Sequence, residues 1–181
     1  MLQHKNLVKT ILLTIIAFLL ISCNNNHSNP TKRFNDKTPG RKIVDSYSNK
    51  NPQVVYFYDI DEKGKTTSNK NGEMYYYEDN KVFAGGGIKN NKREGAWIAY
   101  HPNGKVQTEA FYIDGKEDGD YTVYYDNGKV FYSGQYNNGI CTGKWEFFDQ
   151  KGKLEKTLRA EGNTIVCGAC ERCNKINQNT K

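Results

Sequence analysis

Downstream of residue 53 the chain alternates short runs of β-type residues with polar breaks, and most breaks carry glycine. The clearest stretch is WIAYHPNGKVQTEAFYIDGKEDG, which begins at Trp97. Its two runs rich in aromatic and β-branched residues, 97–100 and 106–113, predict strands. Asn103-Gly104 joins them, and Asp114-Gly115 leads into the next stretch. Asn-Gly and Asp-Gly accept positive φ, which tight hairpin turns require. One stretch therefore predicts one hairpin. Alternate residues of a strand share a face. Positions 97 and 99, then 121, 123 and 125, then 145 and 147 should thus point one way, presenting mainly aromatic side chains. The intervening Ile98, Thr122 and Glu146 grow more polar along the chain.

The pattern is a repeat with a period of 24 residues. Gly95, Gly119 and Gly143 keep this spacing, as do Trp97, Tyr121 and Trp145. So do Tyr100, Tyr124 and Phe148, and Gly104, Gly128 and Gly152, each of these glycines followed by lysine. A worn copy covers 73–95, and VVYFYDIDEKGKT from Val54 carries a similar aromatic strand and Lys-Gly turn at a shorter period. Repeats of this length are single supersecondary units that bury their faces by stacking. The expected fold is all-β: an elongated antiparallel meander of repeated hairpins over 53–160. Gly85-Gly86-Gly87 lies between strands and reads as a bend or bulge.

Apolar residues make up 36% of the 181-residue chain, against 13 tyrosines. That balance suits a thin, half-exposed sheet better than a thick core. Trp97, Tyr100, Tyr121, Tyr124 and Trp145 are the candidates for a binding surface, and each also suits the sheet's own core. The formal net charge is +6, and about +4 without Lys5 and Lys9. Basic residues alternate with acidic ones along the chain, which argues against nucleic acid as a partner.

Lys5 and Lys9 precede the uncharged segment TILLTIIAFLLIS, residues 10–22. As a helix it would rise about 20 Å, short of the ~30 Å hydrocarbon core, so a signal peptide over 1–22 fits better than a span. Leu20-Ile21-Ser22-Cys23 resembles a lipobox. The resemblance implies cleavage before Cys23, diacylglycerol on its sulfur and acylation of the new amino group. Two or more acyl chains give stable anchoring to a membrane. The polar segment 23–52 reads as a flexible tether, since it offers little apolar area to offset ordering. Asn24 after the lipidated cysteine implies, by the enteric sorting rule, the periplasmic face of the outer membrane.

The remaining cysteines are Cys141, Cys167, Cys170 and Cys173, the last three in VCGACERCN within a tail over 161–181. An oxidising envelope favours disulfides among them. Four thiolates would also make a tetrahedral zinc site, so zinc is the candidate cofactor and none is required. Thiol-redox chemistry is a third use of the cluster. His101 is the single histidine in the folded region, and no catalytic constellation assembles around it, so no enzyme is expected.

The order G-x-W/Y, aromatic, N-G-K, then D/N-G-K resembles the MORN repeat variant, found in YwqK-type antitoxin-like proteins and in many bacterial lipoproteins. The likeness spans about 54–158 and is strongest over 95–152. It implies hairpin repeats in an elongated sheet, an interaction role toward proteins or membrane surfaces, and no catalytic residues. The function expected is a lipid-anchored envelope module that binds a protein or glycan partner. The alternatives are a metal-binding or thiol-redox lipoprotein and an antitoxin-like protein.

Overall fold

A computed structural model describes residues 33–161 and 164–165. These residues form one antiparallel sheet of eleven strands in chain order. The strands are β1 (Arg41–Ser46), β2 (Pro52–Ile60), β3 (Thr66–Tyr76), β4 (Val82–Lys89), β5 (Lys92–Tyr100), β6 (Val106–Ile113), β7 (Lys116–Tyr124), β8 (Val130–Asn137), β9 (Ile140–Phe148), β10 (Leu154–Glu161) and β11 (Thr164–Ile165). The meander expected from the 24-residue period is the fold, with each period spanning one hairpin.

The two edges of the sheet carry different turns. One edge has two-residue turns, Asn90-Asn91, Asp114-Gly115 and Asn138-Gly139. Both residues of each have positive φ, between 51° and 85°. This is the type I′ geometry that matches strand twist, and asparagine replaces glycine in the first turn because it tolerates that region. The other edge has five-residue turns at 47–51, 77–81, 101–105, 125–129 and 149–153, each closed by the same two backbone bonds. In the turn at 101–105, His101 N–H donates to Lys105 O and Gly104 N–H to His101 O, both at 2.8 Å. Asn103-Gly104 is therefore part of a longer turn than its tight-hairpin reading suggested. DEKGK at 61–65 has these bonds too, but lies on the opposite edge. On the far side of each long turn one residue drops out of register: Gln53, Phe83, Gln107, Phe131 and Glu155. Such bulges sharpen twist and turn side chains aside.

Side chains tie each long turn to the next. Tyr47 Oη donates to Tyr76 O at 2.9 Å, Tyr77 Oη to Tyr100 O at 2.8 Å and Tyr125 Oη to Phe148 O at 2.9 Å. His101 Nε2 stands 3.0 Å from Tyr124 O at the same station. Asn103 and Asn127 donate to Asp126 O and Gln150 O. Each unit thus satisfies a carbonyl group of its successor, across 23 residues in the regular repeats and across 29 from Tyr47 to Tyr76.

Packing differs between the faces. On the first, a row of cross-strand neighbours runs Gly86, Trp97, Ala110, Tyr121, Gly134. Trp145 and Leu158 continue it. From Gly86 to Trp145 large and small residues alternate, so each ring lies over a neighbour with little or no side chain. A Cβ on Gly86 would come within 2.4 Å of the Trp97 ring, and one on Gly134 within 2.2 Å of the Trp145 ring. Gly86 is therefore a seat for an aromatic ring inside β4, with a register shift beside it at Gly87. The clusters around Trp97 with Tyr112 and around Trp145 with Tyr136 and Phe147 are the core of this face.

On the second face Val55, Phe57, Met74 and Tyr76 of β2–β4 pack under Phe34. Phe34 is 2% exposed, and its ring lies 4.9 Å from that of Phe57. Here the flexible tether expected over 23–52 is corrected from residue 33 onward, while 23–32 lie outside the described residues. The 34–46 stretch belongs to the folded unit, and β1 pairs with β2 within it. One buried aromatic ring and one strand partner order a segment whose polar composition conceals both.

Candidate functional site

The five aromatic candidates do not share a surface. Trp97 and Trp145, 5% and 1% exposed, are core residues of the first face, with half-buried Tyr121 packed between their clusters. Tyr100 and Tyr124 follow Ala99 and Val123 along their strands and so fall on the second face. The expectation of one aromatic face is corrected: adjacent columns of a strand diverge, and the tryptophans fill the core clusters of the first face. Trp97 is fixed further. Its Nε1–H donates to Gly87 O at 2.9 Å, and the Arg93 guanidinium stacks 4.2 Å above its ring. Arg93 Nη1 also donates to Tyr112 Oη, which donates to the buried Glu117 carboxylate.

The other buried carboxylate is Glu73, which accepts from Lys70 Nζ and from Tyr75 Oη. Burial first, then that hydrogen bond, pushes the Tyr75 phenol up to about 12. These pairings satisfy the charges that the first face encloses, and they read as structural.

The second face opens beyond the Phe34 cover. A groove crosses β5–β9 there, formed by two hollows of about 360 and 380 Å³ that share Asp120 and Thr122. The first hollow is lined by Ala96, Ile98, Glu109 and Phe111, the second by Ser133, Gln135, Lys144 and Glu146. Glu109 Oε2 accepts from Tyr124 Oη at 2.7 Å. Asp120 Oδ1 accepts from Gln135 Nε2 at 3.0 Å, and Glu146 pairs with Lys144 at 2.6 Å. Burial, and then the Glu109 carboxylate, raise the Tyr124 phenol, so its hydroxyl remains a donor. The progression Ile98, Thr122, Glu146 was visible in the sequence. That it forms the lining of a groove was not, because the groove depends on where the Phe34 segment stops.

Cys23, Cys167, Cys170 and Cys173 lie outside the described residues. Cys141 is 1% exposed, packs against Tyr136 and Trp145, and is disulfide-bonded. No group of three or more metal-ligating side chains occurs among the described residues.

The model of the family described as "MORN repeat variant" matches residues 93–114 and 117–138. The two matches begin at Arg93 in β5 and at Glu117 in β7, and each covers one hairpin and its long turn. No curated protein and no solved structure matches the chain.

Proposed function

We propose that this chain is a lipid-anchored interaction module of a bacterial envelope, held to the membrane through Cys23, with the repeat sheet as its binding surface. The observation that carries the reading is the architecture of a single-layer sheet matched by MORN-variant repeats. Such a sheet holds its residues as surface: the first face is closed over its own rings, and the second offers an open groove. The partner is an envelope protein or glycan. The lipobox-like Leu20-Ile21-Ser22-Cys23 supports the anchor, and the signal-like segment before it supports export. Metabolic labelling with a fatty acid tests the anchor, since label should enter the parent and be absent from Cys23→Ser. Cross-linking in intact cells, mild detergent extraction and mass spectrometry test the module. One stoichiometric envelope partner, a protein or a covalently captured glycan, is the expected result, and recovery of the protein with neither refutes it.

A second reading rests on Cys141, whose disulfide favours oxidised thiols over zinc for the tail cysteines. Alkylation before and after reduction distinguishes them: a thiol count that rises on reduction supports disulfides, and one that is complete beforehand, with bound zinc, supports the metal.

A further inference from the structure

The groove on the second face changes character along its length. At the β5–β6 end Ala96, Ile98 and Phe111 make an apolar wall. Toward β8 the lining turns to Asp120, Thr122, Ser133 and Gln135. Two carboxylates border the middle, and each has one oxygen fixed by a neutral donor: Glu109 by the Tyr124 hydroxyl and Asp120 by the Gln135 amide. A carboxylate held in this way offers its second oxygen, in a set direction, to an incoming donor. Hydroxyl and amide groups beside it both donate and accept. The third carboxylate, Glu146, is already neutralised by Lys144.

An apolar end, then oriented acceptors, then mixed hydroxyl and amide groups require a ligand with a small apolar appendage and many weak donors and acceptors. A cationic ligand would leave the apolar wall unused and would compete with Lys144 for Glu146. An apolar peptide face would bury the two carboxylates without compensation.

We propose that this groove binds a sugar chain carrying acetamido groups. The acetyl methyl lies against Ala96, Ile98 and Phe111. The ring hydroxyls donate to Glu109 and Asp120 and exchange hydrogen bonds with Thr122, Ser133 and Gln135. Five strands at a spacing of ~4.8 Å give the groove a length of about 20 Å, room for several sugar rings. The proposal rests on the interaction-module reading and names the chemistry of its partner.

The test is isothermal titration of the full lipidated protein in mild detergent with three probes: a hexamer of N-acetylglucosamine, the same hexamer without acetyl groups, and a glucose hexamer. The acetylated hexamer should bind most tightly. Glu109→Gln and Asp120→Asn should each weaken it about tenfold or more, the cost of one hydrogen bond to a charged group, with unchanged urea midpoints. Two results overturn the proposal: no binding of the acetylated hexamer, or tighter and salt-sensitive binding of the cationic, deacetylated one. The same two variants are then cross-linked in cells. If the hexamer fails to bind but a stoichiometric partner is still captured, the glycan proposal falls and the module stands. If no partner is captured either, both fall.

Discussion

Gly134→Ala asks whether the first face is held by rings seated on glycine. In an unobstructed strand this substitution stabilises by about 0.4–1 kcal/mol, since alanine restricts the unfolded chain. Gly134 is not among the residues with positive φ, so the backbone does not cancel that gain. The Trp145 ring does. An added Cβ would stand 2.2 Å from Cδ2, 2.4 Å from Cε2 and 2.6 Å from Cε3. Carbon contacts settle near ~3.5 Å, so the ring must retreat by about 1.3 Å. It has little room to do so, because Trp145 is 1% exposed and packed among Tyr136, Cys141 and Phe147. Overpacking of this kind costs about 1–3 kcal/mol. Ejecting the ring instead would expose roughly 200 Å² of aromatic surface, about 5 kcal/mol at ~25 cal/mol per Å². The cheaper response prevails, and the net expectation is a loss of about 1–2 kcal/mol. The assay is urea unfolding followed by tryptophan fluorescence in a Trp97→Phe background, where Trp145 is the sole tryptophan. With a slope of ~2 kcal/mol per M, the midpoint should fall by about 0.5–1 M. By circular dichroism, Trp145→Leu should lower the parent's midpoint but cost much less in the Gly134→Ala chain, because the clash leaves with the ring. A midpoint at or above that of the parent would refute the seating argument.

Three further outcomes follow from the structure. Tyr77→Phe and Tyr125→Phe each remove one turn-to-turn hydrogen bond and should each cost about 0.5–1.5 kcal/mol in thermal or urea unfolding; the two losses should add, since four strands at ~4.8 Å separate the sites. Tyr75 titrates near 12 in the fold against 10.0 without it, so the stabilisation tied to its neutral phenol is fully present below pH 10 and is lost as pH rises from 10 toward 12. Phenolate absorbance should then show Tyr75→Phe losing less stability than the parent across that window, and identical curves would count against the buried Glu73–Tyr75 pair. Reduction of the Cys141 disulfide should lower the stability of the β8–β10 region by about 2–4 kcal/mol, read as an earlier Trp145 transition with that of Trp97 little changed. Equal shifts in both would mean that the sheet unfolds as one cooperative unit.

The sequence discloses what is periodic and hides what is singular. Strand β6 was legible to the residue, because its aromatic and β-branched run is bounded by two glycine-bearing turns. The long turns were legible in position but not in size, since Asn-Gly is common to two-residue and five-residue turns, and only the His101–Lys105 bond separates them. The small column of Gly86, Ala110 and Gly134, each 11 residues before an aromatic of the next strand, was present in the same repeat. It went unread because glycine in a strand looks like an interruption until the ring above it is placed. Phe34 has no counterpart in any repeat, and nothing in a polar segment announces that a single ring will cover Gly72.

That one covering segment also determines where function can lie. A single sheet has two faces, and the six-residue row from Gly86 to Trp145 closes the first by alternating large with small side chains, using rings that a flat binding surface would need to display. Loss of Trp97 or Trp145 should therefore unfold part of the sheet before it affects any partner. The second face has the opposite economy. Its apolar half, around Val55, Phe57 and Met74, is capped by the chain's own Phe34, and its polar half is left open because Thr122, Ser133 and Glu146 need no cover. Had Ile98 been followed at the same station by isoleucine in β7 and β9, the groove would have demanded a cap of its own. The drift from Ile98 to Thr122 to Glu146 is thus a condition of the site's existence, and substitutions that change binding without changing stability should concentrate on this face between β6 and β9.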